Sequence, residues 1–183
     1  MSRLPLYSIA VVMVLAGLLG CAEKQDFNQF DDLTITPVAE SSILYLESPE
    51  SFINDADPGV YYTKTFNFDA FAEQFVSENV LDGLFTYEVE NTTSKELELT
   101  VEFLNATGNV LDTEYFLVEA GPTSNLRREI AYGGASGRSI DIIKNTSAIR
   151  VTGSNLGDNT SISTAPDPKL IFRSSAEIRI QLK

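Results

Sequence analysis

Within 183 residues the reactive groups are few in kind: one thiol, Cys21, no imidazole, and 26 carboxylates against 13 basic side chains. Without histidine, serine–histidine triads, cysteine–histidine pairs and zinc, copper or haem sites built on imidazole are excluded. A lone cysteine also leaves no intrachain disulfide. The chemistry that remains belongs to carboxylates, hydroxyls and amines. Asn54-Asp55-Ala56-Asp57-Pro58-Gly59 is the candidate metal segment, because oxygen ligands alternate ahead of a glycine as in a calcium loop. It lacks the third acidic position and the distant glutamate of an EF-hand, so the plain reading is an acidic Asp-Pro-Gly turn. No Ser-x-x-Lys occurs, and the acids that could pair for glycoside hydrolysis fall at outward strand positions that suit a solvated face. Glycan platforms favour tryptophan, which is absent. Tyr61-Tyr62 and Tyr115-Phe116 offer rings, but a strand turns one residue of each pair inward. The expectation is therefore no catalytic residue, no cofactor and no metal.

Cys21 is distinguished by its position. It ends Leu18-Leu19-Gly20-Cys21 after the apolar run Ile9–Leu19, with Arg3 upstream. That run is shorter than the roughly 20 apolar residues a membrane span needs, and residues 1–20 read as an export signal. The motif resembles a bacterial lipobox. The resemblance implies cleavage before Cys21 and lipidation of its sulfur, with residues 21–31 as a polar, flexible tether. Ala22, where aspartate would favour the inner membrane, resembles outer-membrane sorting. Glu23-Lys24-Gln25-Asp26 is similar to the signals that export Bacteroidota lipoproteins to the surface. Either face of the outer membrane is compatible with this stretch. The expected attachment is to the membrane through several acyl chains on Cys21, and the expected partner is another envelope protein.

Charge narrows the partners further. The formal net charge is −13, and the leader's only charged residue is the basic Arg3. Such a surface repels phosphate backbones and anionic headgroups, so nucleic-acid binding is not expected and the lipid must supply membrane attachment. Residues 32–183 are long enough for one domain with its own core.

Period-two alternation dominates that domain. Phe85, Tyr87 and Val89 alternate with polar residues, as do Leu97, Leu99, Val101 and Phe103. With the turn-like Asn91-Thr92-Thr93-Ser94-Lys95 between them, these two runs predict a hairpin with an acidic outer face. Further strands are predicted at Val110–Val118, Leu126–Tyr132, Ala148–Gly153, 32–37, 42–47 and 61–67, with a short one near Ile162 in an otherwise loop-like 155–169. The last strand has the longest alternation. It sets Leu170, Phe172, Ser174, Ala176, Ile178, Ile180 and Leu182 on one face, and its basic outer face could pair with the glutamates of 96–102. Helix is predicted at 69–79, where Phe68, Phe71, Ala72 and Phe75 have helical spacing and Asn67 could cap the N-terminus. A second short helix is predicted at 139–144, with Ser139 as cap and Ile140 and Ile143 inward. The Asn-x-Ser/Thr sequences at Asn91, Asn105, Asn145 and Asn159 read as turn composition rather than as glycan acceptors.

Many short strands between turn signals predict an antiparallel β-sandwich with one or two short helices. Phe85–Tyr132 includes Val89-Glu90-Asn91-Thr92, then an alternating strand, Phe103-Leu104-Asn105 with Gly108-Asn109-Val110-Leu111, and Gly121-Pro122-Thr123. This segment resembles the FxLYD-type immunoglobulin-like domains of exported bacterial proteins, departing where Phe103-Leu104-Asn105 replaces an aromatic–Asp pair. The whole chain resembles small Bacteroidota lipoproteins. These resemblances imply an immunoglobulin-like sandwich and no catalytic residue or ligand. The expected function is a non-catalytic envelope lipoprotein acting as an interaction or structural module. The alternative is capture of a small molecule or glycan for uptake, which a concave aromatic pocket would favour.

Overall fold

Alternating apolar residues build eight strands here, and the connections decide how they stack. The computed structural model describes residues 34–56, 59–68, 73–121 and 126–182. The chain separates into Met1–Leu33 and Thr34–Lys183, and Cys21, the leader and the tether lie outside the described residues. The elements in chain order are β1 (Val38–Pro49), α1 (Glu50–Asp55), β2 (Val60–Asn67), α2 (Gln74–Asn79), β3 (Val80–Asn91), β4 (Leu97–Leu104) and β5 (Val110–Val118). They continue with β6 (Leu126–Gly133), α3 (Ile140–Asn145), β7 (Ala148–Asn155) and β8 (Lys169–Ile180).

Two four-stranded sheets face each other, ordered β1-β8-β3-β6 and β2-β7-β4-β5, with every described pairing antiparallel. This is the antiparallel β-sandwich with short helices that the alternation predicts. Every connection except β4–β5 carries the chain from one sheet to the other. That connectivity is the eight-stranded jelly roll, two Greek keys folded together. An immunoglobulin domain sets strands ABED against CFG, so the likeness to it holds for the two-layer architecture and not for strand order.

The predicted β3–β4 hairpin is instead an arch between the sheets. Alternation marks which side of a strand is buried but not which sheet it joins, because both sheets bury the same apolar residues against one core. Asn91 locks the crossing from inside: its Nδ2 donates to the carbonyls of Lys95 and Glu119, each at 2.8 Å. Its Oδ1 accepts from Thr93 N at 3.0 Å and Thr93 Oγ1 at 2.7 Å. The β4–β5 turn is a true hairpin, with Asn105 Oδ1 accepting from Thr107 N and Asn109 N. Gly108 supplies the positive φ of +81° that the turn requires.

This topology redirects the expected charge pairs. β8 lies between β1 and β3, in the sheet opposite β4, so its basic residues cannot reach Glu96–Glu102. Arg179 pairs with Asp82 of β3 and Lys169 with Glu47 of β1, while Glu102 is held by Arg150 of β7 at 2.6 Å.

Other boundaries shift too. Residues 34–37 carry no strand, and β1 begins at Val38 and takes in the predicted 42–47. Ile162 is exposed in a loop. α2 begins at Gln74 with Glu73 at its cap, not at Asn67, which closes β2. Phe75 points to solvent, and Phe71 and Ala72 lie outside the described residues. α1 gives too little periodicity to be legible over its six residues, yet it buries Ile53. α3 forms as expected, with Ser139 Oγ accepting from Asp141 N and Ile143 buried.

The core is aromatic. Phe103 stands edge-on to Phe85 at 5.4 Å between centroids, Phe85 meets Tyr132 at 5.3 Å, and Tyr87 meets Phe116 at 5.2 Å. Edge-to-face and tilted pairs of this kind add roughly 0.5–1.5 kcal/mol each beyond area burial. Phe103→Ala is expected to destabilise the domain by about 3–5 kcal/mol. Urea unfolding checks this, with a lower midpoint at an unchanged slope as the expected result.

Candidate interaction surface

The paired strand β1 runs from Val38, opposite Arg179, to Pro49, opposite Lys169, and so spans the sandwich end to end. Residues 34–37, α2, α3 and the C-terminal residues share the first end, where Leu182 N donates to the Ile35 carbonyl. The far end carries α1, the 91–96 arch, residues 119–121 and the long loop 156–168.

A polar network with a buried Lys95 and Glu50 organises that far end. Lys95 has no exposed surface, and its Nζ donates to Asp158 Oδ1 at 3.1 Å and to the carbonyl and Oγ of Ser161, each at 2.8 Å. Asp158 Oδ1 also accepts from Thr160 N at 2.7 Å and Ser161 N at 2.6 Å. Those amide donors, with the Ser161 hydroxyl and Lys95, hold the Asp158 carboxyl well below the usual carboxylate range. Glu50 is buried as well. Its Oε1 accepts from Ser94 N at 2.5 Å and Ser94 Oγ at 2.7 Å, and its Oε2 from Ser163 N at 2.8 Å. Burial works against its charge, but the Ser163 and Ser94 hydrogen bonds and the Lys95 field lower its pKa on balance. Asn159 Nδ2 donates to the Ala56 carbonyl at 2.9 Å and ties the loop to the residue after α1. Burying charge costs several kcal/mol per ion unless it is paired and hydrogen-bonded. Every group here is paired, and the result is one defined loop shape.

None of Glu50, Lys95 and Asp158 stands out in the sequence. The available signal is the density of turn residues in Asn155-Leu156-Gly157-Asp158-Asn159-Thr160-Ser161, whose side chains bond their own backbone. Of the candidate calcium segment, Asn54 and Asp55 close α1 instead of opening a loop, and Asn54 Nδ2 donates to the Ser161 carbonyl at 3.3 Å. Asp57 and Pro58 lie outside the described residues. No cluster of three metal-ligating side chains occurs among the described residues. The tyrosine pairs split as the alternation requires. Tyr61 and Phe116 are buried, Tyr62 is half-buried and Tyr115 is exposed. Tyr62 and Tyr115 sit on opposite edge strands of one sheet, about 14 Å apart by strand spacing, and form no common platform. The sequon asparagines serve turns and caps: Asn91 is buried in the arch, Asn105 organises the hairpin, and Asn145 Nδ2 donates to Asp141 O at 2.7 Å.

Two carboxylates on β5, Asp112 and Glu114, are held jointly by Arg138. Arg128 approaches Glu114 at 3.5 Å and stacks over Phe116 at 4.6 Å, and Tyr132 Oη donates to Asp112 at 2.9 Å. Burial opposes the Arg138 charge, yet its hydrogen bond to Asp112 and the neighbouring Glu114 raise its pKa. Burial, then that same carboxylate, pushes the Tyr132 phenol up. The cluster neutralises itself across the β5 and β6 edges. The outer face of β1-β8-β3-β6 carries a shallow groove of about 440 Å3 lined by Glu40, Thr86, Glu88, Arg127, Glu129 and Arg173, with no aromatic ring among the described lining residues.

No protein-family model matches the chain, and no curated protein matches it. Among solved structures it is similar to the VP2 subviral particle of infectious bursal disease virus, at 8% identity and a TM-score of 0.41, over 79% of this chain and 32% of that one. The chain thus spans about a third of that protein's length. It is also similar to the Bacillus endospore appendage pili (10% identity, TM-score 0.37, 81% and 92% covered). Desmodium yellow mottle tymovirus is a third such structure (7%, 0.35, 82% and 89%).

The depressed Asp158 pKa fixes the sign of a pH effect. A carboxylate that protonates less readily when folded contributes stability above its unfolded pKa of about 3.9, and that contribution is lost as pH falls toward the lower folded value. Asp158→Asn is expected to unfold at lower urea than the parent near pH 7. The gap should narrow below about pH 4, as read from paired urea midpoints across pH.

Proposed function

We propose that the chain is a non-catalytic lipoprotein of the cell envelope. Its β-sandwich acts as an interaction module, tethered to the outer membrane through lipid on Cys21. The observation that carries this reading is the Glu50–Lys95–Asp158 network, in which Glu50 and Lys95 are buried and Asp158 meets Lys95 from an exposed loop position. A recognition surface on loops must be held in shape by its supporting shell, and here hydrogen bonds of Glu50, Lys95 and Asp158 tie three separate connections together.

Two further observations support it. Asp112 and Glu114, two carboxylates on one strand edge, are neutralised by arginine. The sheet groove is charged, and Arg127 in it is already bonded to Glu88 at 3.0 Å and Glu129 at 2.6 Å. A charged groove of this kind suits a solvated face better than a capture site for a sugar or apolar metabolite. The mechanism is surface complementarity, with the lipid fixing orientation and raising the local concentration for a neighbour in the same membrane.

Fractionation of cells expressing the parent or Cys21→Ser tests the tether. The parent should sediment with membranes and incorporate radiolabelled palmitate. Cys21→Ser should do neither while keeping the folded domain's protease resistance. A Cys21→Ser chain that still sediments with membranes would contradict the lipid anchor. Cross-linking in intact cells tests the module, a discrete adduct being expected from the anchored chain.

A further inference from the structure

At the far end, α1 and the long loop enclose a depression of about 350 Å3. Pro49, Pro168 and Ile162 give it apolar walls, and Glu50, Ser51, Asn54, Asp55 and Asp167 supply its polar lining. Ile162 is among the most exposed apolar residues described, at 77%. It is held there because the adjoining Ser161 and Ser163 are bonded to Lys95 and Glu50.

Carboxylates dominate the polar lining. Asp55 and Asp167 are exposed carboxylates, which only accept hydrogen bonds. Asn54 Oδ1 is buried with no hydrogen-bond partner among the described residues, while its Nδ2 already donates to Ser161. Two cations stand nearby: buried Lys95, matched by Asp158 and Glu50, and Lys169, which bridges Asp167 at 2.7 Å and Glu47 at 2.8 Å, so the rim is net negative. In the connections of this end, every exposed charge among the described residues is acidic: Asp55, Glu96, Glu119, Asp158 and Asp167.

Apolar walls with a rim rich in carboxylate acceptors suit a side chain that is aliphatic along its length and cationic at its tip. We infer that this depression seats an arginine or lysine side chain of a partner protein, its stem against Pro49, Pro168 and Ile162 and its head among Asn54, Asp55 and Asp167. A rigid pocket that takes one anchoring side chain is the usual centre of a protein interface. The inference rests on the interaction-module reading and specifies the partner's chemistry: a basic patch with apolar neighbours.

The test is an NMR titration of the full chain in dodecyl maltoside micelles with N-acetyl-arginine amide, and with N-acetyl-citrulline amide as the uncharged counterpart. Saturable shifts of the Ile162 methyl and Asn54 side-chain amide signals are expected with arginine and not with citrulline. Asp55→Asn and Asp167→Asn should each weaken binding by about threefold, and Glu129→Gln in the sheet groove should leave it unchanged. Equal response to citrulline, indifference to the aspartate variants, or the same shifts produced by calcium chloride alone would each overturn the inference. If cross-links form in cells through another face while the depression ignores arginine, the inference fails and the interaction reading stands. If arginine binds but no cross-link forms through any face, the interaction reading fails and takes the inference with it.

Discussion

A lysine ammonium with no exposed surface constrains everything around it. Lys95 can be buried only because Asp158 and the carbonyl and hydroxyl of Ser161 meet it, and that requirement folds the loop 156–168 back over the arch. Once the loop is down, Ser163 lies within reach of Glu50, and Glu50 in turn fixes the start of α1 directly after Pro49. Arch, helix and loop come from distant parts of the chain, yet none keeps its shape without the others. The charges are a poor source of net stability. What they provide is a single arrangement of segments that have no sheet to order them.

The rest of the sandwich divides the work differently. Its middle is packed by aromatic rings from both sheets, where apolar burial dominates. Its β5–β6 side, an edge strand from each sheet, is closed by Asp112, Glu114, Arg128 and Arg138. Charged side chains at sheet edges discourage pairing with foreign strands, so a jelly roll with four edges shields this side of the molecule. The Tyr87 phenol is buried without a hydrogen-bond partner among the described residues, and burial drives its pKa well up. Among the described residues, an apolar core is joined by a polar cluster at an edge and another at an end.

Strand positions and inward faces were legible in the sequence because the side-chain period of a strand is local. Leu170, Phe172, Ser174, Ala176 and Ile178 are buried in alternation along β8, and Ser139 caps its helix. Partner choice was not legible. The same pattern fits a hairpin or an arch, and what makes 91–95 an arch is Asn91 bonding to Glu119, 28 residues away. The basic face of β8 met different acids for the same reason. The far-end network escaped detection because lysine, glutamate and aspartate are so often solvated that burial of Glu50 and Lys95 has no sequence signature. Cys21 was conspicuous by position alone, and the depression beside α1 was not, since Pro49, Asp55, Ile162 and Asp167 converge only in the folded chain.

The central claim is that Lys95 holds the far-end loops in one shape independently of the sheets. Hydrogen exchange of Lys95→Met against the parent tests it most directly. Exchange should accelerate at the amides of Ser94, Thr160, Ser161 and Ser163 while β3, β4, β7 and β8 keep their protection. Unchanged protection in the loop, or an equal loss across the strands, would contradict it.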